Sequence, residues 1–260
     1  MKTLGCFCYL VNHSGLNSIN TCIKSLTLLN ANYLNHFPTP VILFHESGLT
    51  DSMKSTLQSS SNAPLTFQEI KFSIPAHITQ INREWRIGYM HMCRFFANEI
   101  FSQPILQDFE YYCRLDTDSY ILSPVSVNVF EEAKSNNIKY GYINDSLLDS
   151  PNYTVGLWPL AQTFVNSHPE IPTYSKLYSD IPERRLYYTN FELCNIEWFQ
   201  NPPWTMMFKD IDNSGGMYKY RWGDHIIRYI GVRLFVPPEQ IKRITTVHYS
   251  HQGLEDNKPA

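Results

Sequence analysis

Apolar and polar positions follow two rhythms over the first 72 residues. T-L-G-C-F-C-Y-L-V (3–11) is an almost unbroken apolar run, as in a strand covered on both faces. The stretch 14–30 then places apolar residues at 16, 19, 23, 26 and 29. That spacing predicts a helix, with Ser14 positioned to cap it. After Pro38 and Pro40, V-I-L-F-H (41–45) predicts a second buried strand. Residues 47–57 predict a helix capped by Thr50, and F-Q-E-I-K-F (67–72) alternates as a third strand. A β-α-β-α-β opening implies a parallel, Rossmann-like sheet.

Farther along, 86–101 predicts a helix rich in Met, Phe and Tyr, and E-Y-Y-C-R-L-D (110–116) a strand ending at aspartates. A helix is expected over 128–137 and a strand over 140–144. Residues 151–190 are rich in Pro and Tyr and carry no clear period. The segment 191–209 begins as a strand and turns helical, 215–230 is a loop leading into a helix, and R-L-F-V (233–236) predicts a last strand. With no repeat and no low-complexity linker, the expected architecture is one α/β domain, a mixed central sheet flanked by helices.

Composition narrows the function classes. The 260 residues are 43% hydrophobic and 14% aromatic, enough for a packed core and against disorder. A net charge of −3 gives no basic field, so a nucleic-acid partner is not expected. No apolar stretch has the roughly 20 residues of a membrane helix. The N-terminal run is strand-like rather than a signal peptide. These readings predict a soluble, intracellular or cytoplasmic protein with no transmembrane segment. The six cysteines include no C-x-x-C pair and are expected to be buried free thiols. G-x-G-x-x-G after the first strand and a P-loop are both missing, which weakens dinucleotide binding and P-loop chemistry.

The candidate chemistry sits at strand ends. In Y-C-R-L-D-T-D-S-Y-I (112–121), Asp116 and Asp118 stand one residue apart just past an apolar run. Ligands of open α/β sheets bind outside the carboxyl ends of the strands. Such a pair either holds a hard cation, Mn²⁺ or Mg²⁺, or forms a solvated rim. Glu192 in N-F-E-L-C-N-I-E-W-F (190–199) lies inside an apolar run, placed for chemistry or on the wet face of a strand. In G-G-M-Y-K-Y-R-W-G-D-H (215–225), Trp222 and Tyr220 offer flat surfaces to an acceptor sugar, and Asp224 an acceptor for hydroxyls or a helix cap. H-Y-S-H (248–251) holds histidines that can complete a metal site. Arg94, in an apolar helix, and Arg114, two residues before Asp116, each want an anion: a phosphate or an internal carboxylate.

Together these segments resemble glycosyltransferase family 15, the fungal α-1,2-mannosyltransferases of the Kre2/Mnt1 type. H-M-C-R-F (91–95) is similar to the family's H-M-C-R-F, and Y-Y-C-R-L-D-T-D (111–118) to its Y-W-R-V-E-P-D. N-F-E-L-C-N-I-E-W-F, G-G-M-Y-K-Y-R-W-G-D and L-F-V-P-P-E-Q-I (234–241) follow in the family's order. The resemblance runs from about residue 80 to the C-terminus. It implies a GT-A glycosyltransferase fold, GDP-mannose as donor, Mn²⁺ as cofactor and retention at the anomeric carbon. Residues 1–118 become the nucleotide-sugar-binding half and 119–260 the acceptor and catalytic half.

By the same resemblance, Asp116, Asp118 and His251 are metal ligands, and Glu192 matches the proposed nucleophile. Asp224 is a substrate-site carboxylate, and Tyr89, Arg94 and Arg114 fall in donor-binding segments. Asp116 and Thr117 stand where the family has Glu and Pro. The expected function is metal-dependent, retaining transfer of a sugar, mannose above others, to a glycan hydroxyl. The alternatives are a metal-dependent nucleotide-sugar hydrolase and a non-catalytic glycan- or nucleotide-binding module. The irregular 151–190 segment is expected to face the acceptor.

Overall fold

The structure is a computed structural model that describes residues 2–13 and 16–259. Its elements run β1 (Thr3–Val11), α1 (Leu16–Leu29), β2 (Val41–His45), α2 (Asp51–Gln58), β3 (Leu65–Glu69), α3 (Ile87–Ala97), β4 (Phe109–Leu115), β5 (Ser119–Ile121), α4 (Val129–Ser135) and β6 (Tyr140–Tyr142). Then come α5 (Leu157–Ser167), β7 (Phe191–Asn195), α6 (Ile196–Phe199), α7 (Trp204–Asn213), α8 (Gly216–Lys219), α9 (Asp224–Phe235), β8 (Ile241–Arg243), β9 (Tyr249–His251) and β10 (Leu254–Asp256).

Seven strands form one sheet in the order β3-β2-β1-β4-β7-β6-β8. The first four pair in parallel; β7 enters antiparallel to both β4 and β6. Alternate residues of the central strands feed two separate cores. Phe7, Tyr9, Leu43, Tyr111 and Cys113 pack under α1, α2 and α4. Cys6, Cys8, Phe44, Tyr112 and Cys194 pack under α3, α5, α7 and α9. Because both faces are covered, these strands read as continuous apolar runs. Gly5 on β1 is a contact requirement: a Cβ there would lie 2.2 Å from the Phe130 ring of α4. All six cysteines are buried free thiols.

Local chemistry sets several helix starts. Thr50 Oγ1 accepts from the Met53 N–H at 3.3 Å, the cap expected from the sequence. Asn128 and Asn195 cap α4 and α6 in the same way, each contributing about 1 kcal/mol. The Ser14 cap lies outside the described residues. The expected helix over 86–101 stops at Ala97, because Asn98 leaves helical geometry and a 3₁₀ turn follows. The irregular 151–190 segment contains α5.

The strand expected at 233–236 is not one. Arg233, Leu234 and Phe235 are the last turn of α9, where Leu234 and Phe235 continue the buried stripe of Ile226, Ile227 and Ile230. Val236 is extended because Pro237 follows it. A short apolar run cannot be told from the end of a buried helix by period alone. No helix among the described residues is long and apolar enough to cross a membrane.

One ion pair lies wholly inside the α3/α9 core. Arg228 of α9 and Glu192 of β7 both have 0% exposure, with Arg228 Nε 2.9 Å from Glu192 Oε2. Tyr112 donates to Glu192 Oε1 at 2.7 Å, and Arg228 also donates to the Phe96 carbonyl at 2.8 Å. The rings of Phe101, Phe199 and Trp204 surround the guanidinium. Removing one member strands a buried charge. Arg228→Met alone should cost about 3–5 kcal/mol, and Glu192→Leu with Arg228→Met should recover a large part of it. Urea midpoints of the two variants check this; equal losses would mean the pair does not act as a unit.

Candidate active site at the end of the central sheet

β4 ends at Leu115, and the chain turns through Asp116, Thr117 and Asp118 into β5. The Asp116 N–H donates to the Asn190 carbonyl at 3.2 Å, and the Ser119 N–H closes the turn onto the Asp116 carbonyl at 2.9 Å. β5 belongs to a second sheet, β10-β9-β5, whose register sets Ser119 opposite His251. That pairing carries a residue from far along the chain to the aspartates. His251 Nε2 lies 2.9 Å from Asp118 Oδ1 and 3.9 Å from Asp116 Oδ2.

One ligand atom from each of Asp116, Asp118 and His251 falls within 4.8 Å of the others. His251 Nε2 is buried and completes no hydrogen bond despite its closeness to Asp118. An orphaned buried nitrogen facing two carboxylates is the donor set of a divalent cation site. On the far side of the ring, Nδ1 is 2.7 Å from the Tyr188 hydroxyl and 3.0 Å from the Asn190 amide. These partners fix the ring's orientation, as outer-shell groups of metal-bound histidines do. Burial pushes the Asp118 carboxyl up, but contact with His251 and a hydrogen bond from Gln252 outweigh it and hold the pKa below its ordinary value.

Arg114 joins this triad to the rest of the site. Its side chain is 2% exposed; Nε donates to Asp116 Oδ1 at 2.8 Å and Nη1 to Asp224 Oδ2 at 2.6 Å. The Phe96 ring lies beneath the guanidinium, its centroid 3.6 Å from Cζ. Asp224 opens α9 and also accepts from the Thr189 hydroxyl at 2.7 Å. Burial raises the Asp224 pKa, but Arg114, His225 and the Thr189 bond bring it down to about 2. This carboxylate is therefore ionised at every pH at which the protein would be assayed.

Two cavities meet here. One, of about 580 Å³, lies past the carboxyl ends of β1 and β2 and is lined by Asn12, His13, Glu46, Phe72 and Arg86. The other, of about 380 Å³, is lined by Arg114, Asp116, Asp224 and His251, together with Asp149, Tyr188 and His225. Tyr89 and Met92 of α3 belong to both. The structure thus gathers Tyr89, Arg114, Asp116, Asp118, Asp224 and His251.

Four expected residues are placed elsewhere. Arg94 pairs with Asp212 of α7 at 2.7 Å and with Glu99, away from both cavities. Glu192, directly across from Arg114 in the β4–β7 register, is sealed by Arg228 and Tyr112. Trp222 is 3% exposed, its indole N–H bound to the Val155 carbonyl at 2.9 Å. It is a buried wall that stacks on half-buried Tyr220 rather than an open platform.

Several residues of the site went unnoticed in the sequence. Tyr188 and Thr189 directly precede the N-F-E motif in an irregular segment without period, and Asn190 is the motif's first residue, with no role of its own expected from the sequence. Arg221 has φ +63°, and its guanidinium is held among the rings of Trp85, Tyr89 and Tyr153. A non-glycine residue held in left-handed backbone is a known mark of functional turns.

Comparison with known proteins settles the lineage. Residues 1–258 match the family described as glycolipid 2-alpha-mannosyltransferase. The chain belongs to that family. The match reaches through the first 80 residues, where the sequence motifs had offered only a compatible pattern. The glycolipid 2-alpha-mannosyltransferase of Saccharomyces cerevisiae is 24% identical, covering 99% of this chain and 62% of that protein. The probable mannosyltransferase KTR3 of the same yeast is 25% identical over 88% of this chain and 62% of its own length. The chain thus spans about three-fifths of the curated relatives it matches.

Among solved structures, S. cerevisiae Ktr4p in complex with GDP superposes with a TM-score of 0.88 at 23% identity, covering 100% of this chain and 73% of that one. Core-mannan synthase A of Aspergillus fumigatus, in its Mn/GDP form, gives 0.86 at 21% identity, covering 98% and 76%. The sheet is a GT-A glycosyltransferase fold.

The triad makes a direct prediction. Mn²⁺ should raise the melting temperature, and Asp116→Ala or His251→Ala should abolish that rise. Tyr188→Phe should weaken the cation about 10- to 100-fold, the usual cost of losing an outer-shell partner. Calorimetric Mn²⁺ titration checks all three; unchanged affinity in His251→Ala would remove it from the site.

Proposed function

We propose that this chain is a metal-dependent, retaining mannosyltransferase that moves mannose from GDP-mannose to a glycan hydroxyl. The observation that carries the reading is the Asp116–Asp118–His251 triad at the carboxyl end of β4, beside two joined cavities, in a chain of this family. That the solved relatives hold GDP, and one of them Mn with GDP, supports the nucleotide and the metal.

In this assignment the guanosine occupies the cavity past β1 and β2, within the 1–118 half, and the sugar lies in the cavity toward Asp224. A divalent cation on Asp116, Asp118 and His251 would neutralise the diphosphate and the charge it gains on leaving. Arg114 holds Asp116 in its orientation through the 2.8 Å Nε bond, and Tyr89 spans the two cavities between nucleotide and sugar. Asp224 is the carboxylate nearest the sugar: its Oδ2 is held by Arg114 and Thr189, and its low pKa leaves it charged to stabilise a cationic sugar centre. Glu192 lies one layer behind, holding Arg228 and through it α9. Its role at the anomeric carbon, expected from the resemblance, would require release from Arg228. Arg94 is assigned to the α3–α7 contact, and Trp222 to the wall that shapes the turn before Asp224.

Calorimetry with GDP and UDP, with and without Mn²⁺, tests the donor. GDP should bind with Mn²⁺ and lose that dependence in Asp116→Ala. Preference for UDP would leave the fold and remove mannose from the proposal. Asp224→Asn should keep GDP affinity and lower turnover by about 10²–10³, the range for losing one preorganised electrostatic group. Free mannose as sole product with every acceptor tried would favour a hydrolase.

A further inference from the structure

The sugar-side cavity carries one titratable ring that the mechanism above leaves unused. His225 follows Asp224 in the first turn of α9, and its Nε2 lies 2.8 Å from Asp149 Oδ2. Both side chains are largely enclosed, at 16% and 11% exposure, and both line the 380 Å³ cavity. Asp149 comes from the segment after β6, tied down on three sides. The Ser150 N–H donates to its Oδ1 at 2.7 Å, Arg184 donates to its carbonyl at 2.7 Å, and Arg221 approaches to 4.0 Å.

Burial pushes the Asp149 carboxyl up, but the His225 bond and its positive neighbours outweigh that and lower its pKa. Asp149 is therefore the charged acceptor, and the His225 proton sits on Nε2. In a neutral imidazole that leaves a lone pair on Nδ1. His225 Nδ1 has no hydrogen-bond partner among the described residues, yet is not among the sealed polar atoms. It is accessible rather than sealed, an oriented acceptor on a ring that lines the cavity. Arg221, the nearest cation, is held by three aromatic rings.

Tyr89 and Met92 line both cavities, whereas Asp149 and His225 line only the second. The dyad forms the wall of that cavity built by the segment after β6 and the start of α9, beside the donor sugar assigned to it. We propose that His225 is an acceptor-binding residue whose Nδ1 takes a hydrogen bond from a hydroxyl of the glycan acceptor, and that Asp149 is the positioning residue that fixes its tautomer. This rests on the glycosyltransferase reading. The chemistry selects a hydroxyl donor: Nδ1 of a neutral imidazole only accepts, so a sugar hydroxyl pairs with it and a bare carboxylate or phosphate oxygen does not.

The test separates the donor from the acceptor. GDP-mannose hydrolysis without acceptor is measured beside transfer to methyl α-mannoside, in wild type, His225→Ala, His225→Gln and Asp149→Ala. His225→Ala should raise KM for methyl α-mannoside about tenfold, the weight of one hydrogen bond. Affinity for GDP, whose assigned cavity His225 does not line, should stay within about twofold. His225→Gln, whose amide can keep the Asp149 bond, should fall between wild type and His225→Ala. Added imidazole should restore part of the transfer to His225→Ala but none to Asp149→Ala. An unchanged acceptor KM in His225→Ala overturns the proposal, as does a parallel fall of hydrolysis and transfer, which would mark a structural role. If wild type neither binds nor turns over GDP-mannose, the glycosyltransferase reading itself fails and takes this one with it.

Discussion

A buried guanidinium organises this site. Arg114 is almost fully enclosed, and an enclosed charge is tolerated only when oppositely charged groups surround it. Its planar fork reaches two carboxylates on different elements, Asp116 after β4 and Asp224 at the start of α9, while Phe96 of α3 covers its face. Lysine carries the charge but not the fork, so it could not span both. The distance between the cation site and the sugar-facing carboxylate is thereby set by one side chain. The low pKa of Asp224 follows from the same contact. Arg114 thus fixes geometry and charge state together.

The parts of this arrangement that the sequence disclosed are those carried by local pattern. Strands covered on both faces appear as unbroken apolar runs, so β1, β2 and β4 were readable, and the aspartates stood where an α/β sheet binds ligands. Thr50 was readable as a cap because its role depends on the next three residues alone. Long-range pairing was not readable. His251 reaches Asp118 only because β9 lies beside β5 in one register, and nothing in H-Y-S-H states that register. It was reached through the family resemblance instead.

The residues that landed elsewhere share a physical cause. Arg94, Glu192 and Trp222 are polar or amphipathic groups in apolar surroundings, and sequence says only that each needs a partner. Arg94 found Asp212, Glu192 found Arg228, and the Trp222 indole found a backbone carbonyl. An internal partner and a ligand satisfy the same requirement, and only the packed structure distinguishes them. The reverse holds for Tyr188 and Asn190. They have ordinary composition in an irregular stretch, and their importance comes from the imidazole they orient.

The two arginine–carboxylate pairs cross between sheet and helix. Arg114 on β4 binds Asp224 on α9, and one turn along that helix Arg228 binds Glu192 on β7, the residue opposite Arg114. A shift of α9 along its axis would break both pairs at once, so the helix is locked in translation and rotation. For divergence within the lineage this means that the four positions can change only in concert, since any single replacement leaves a stranded charge. Exposed Leu148, in the segment after β6, belongs to neither pair although it lines the sugar-side cavity. New acceptor preferences can accumulate there by single steps while the catalytic frame stays still.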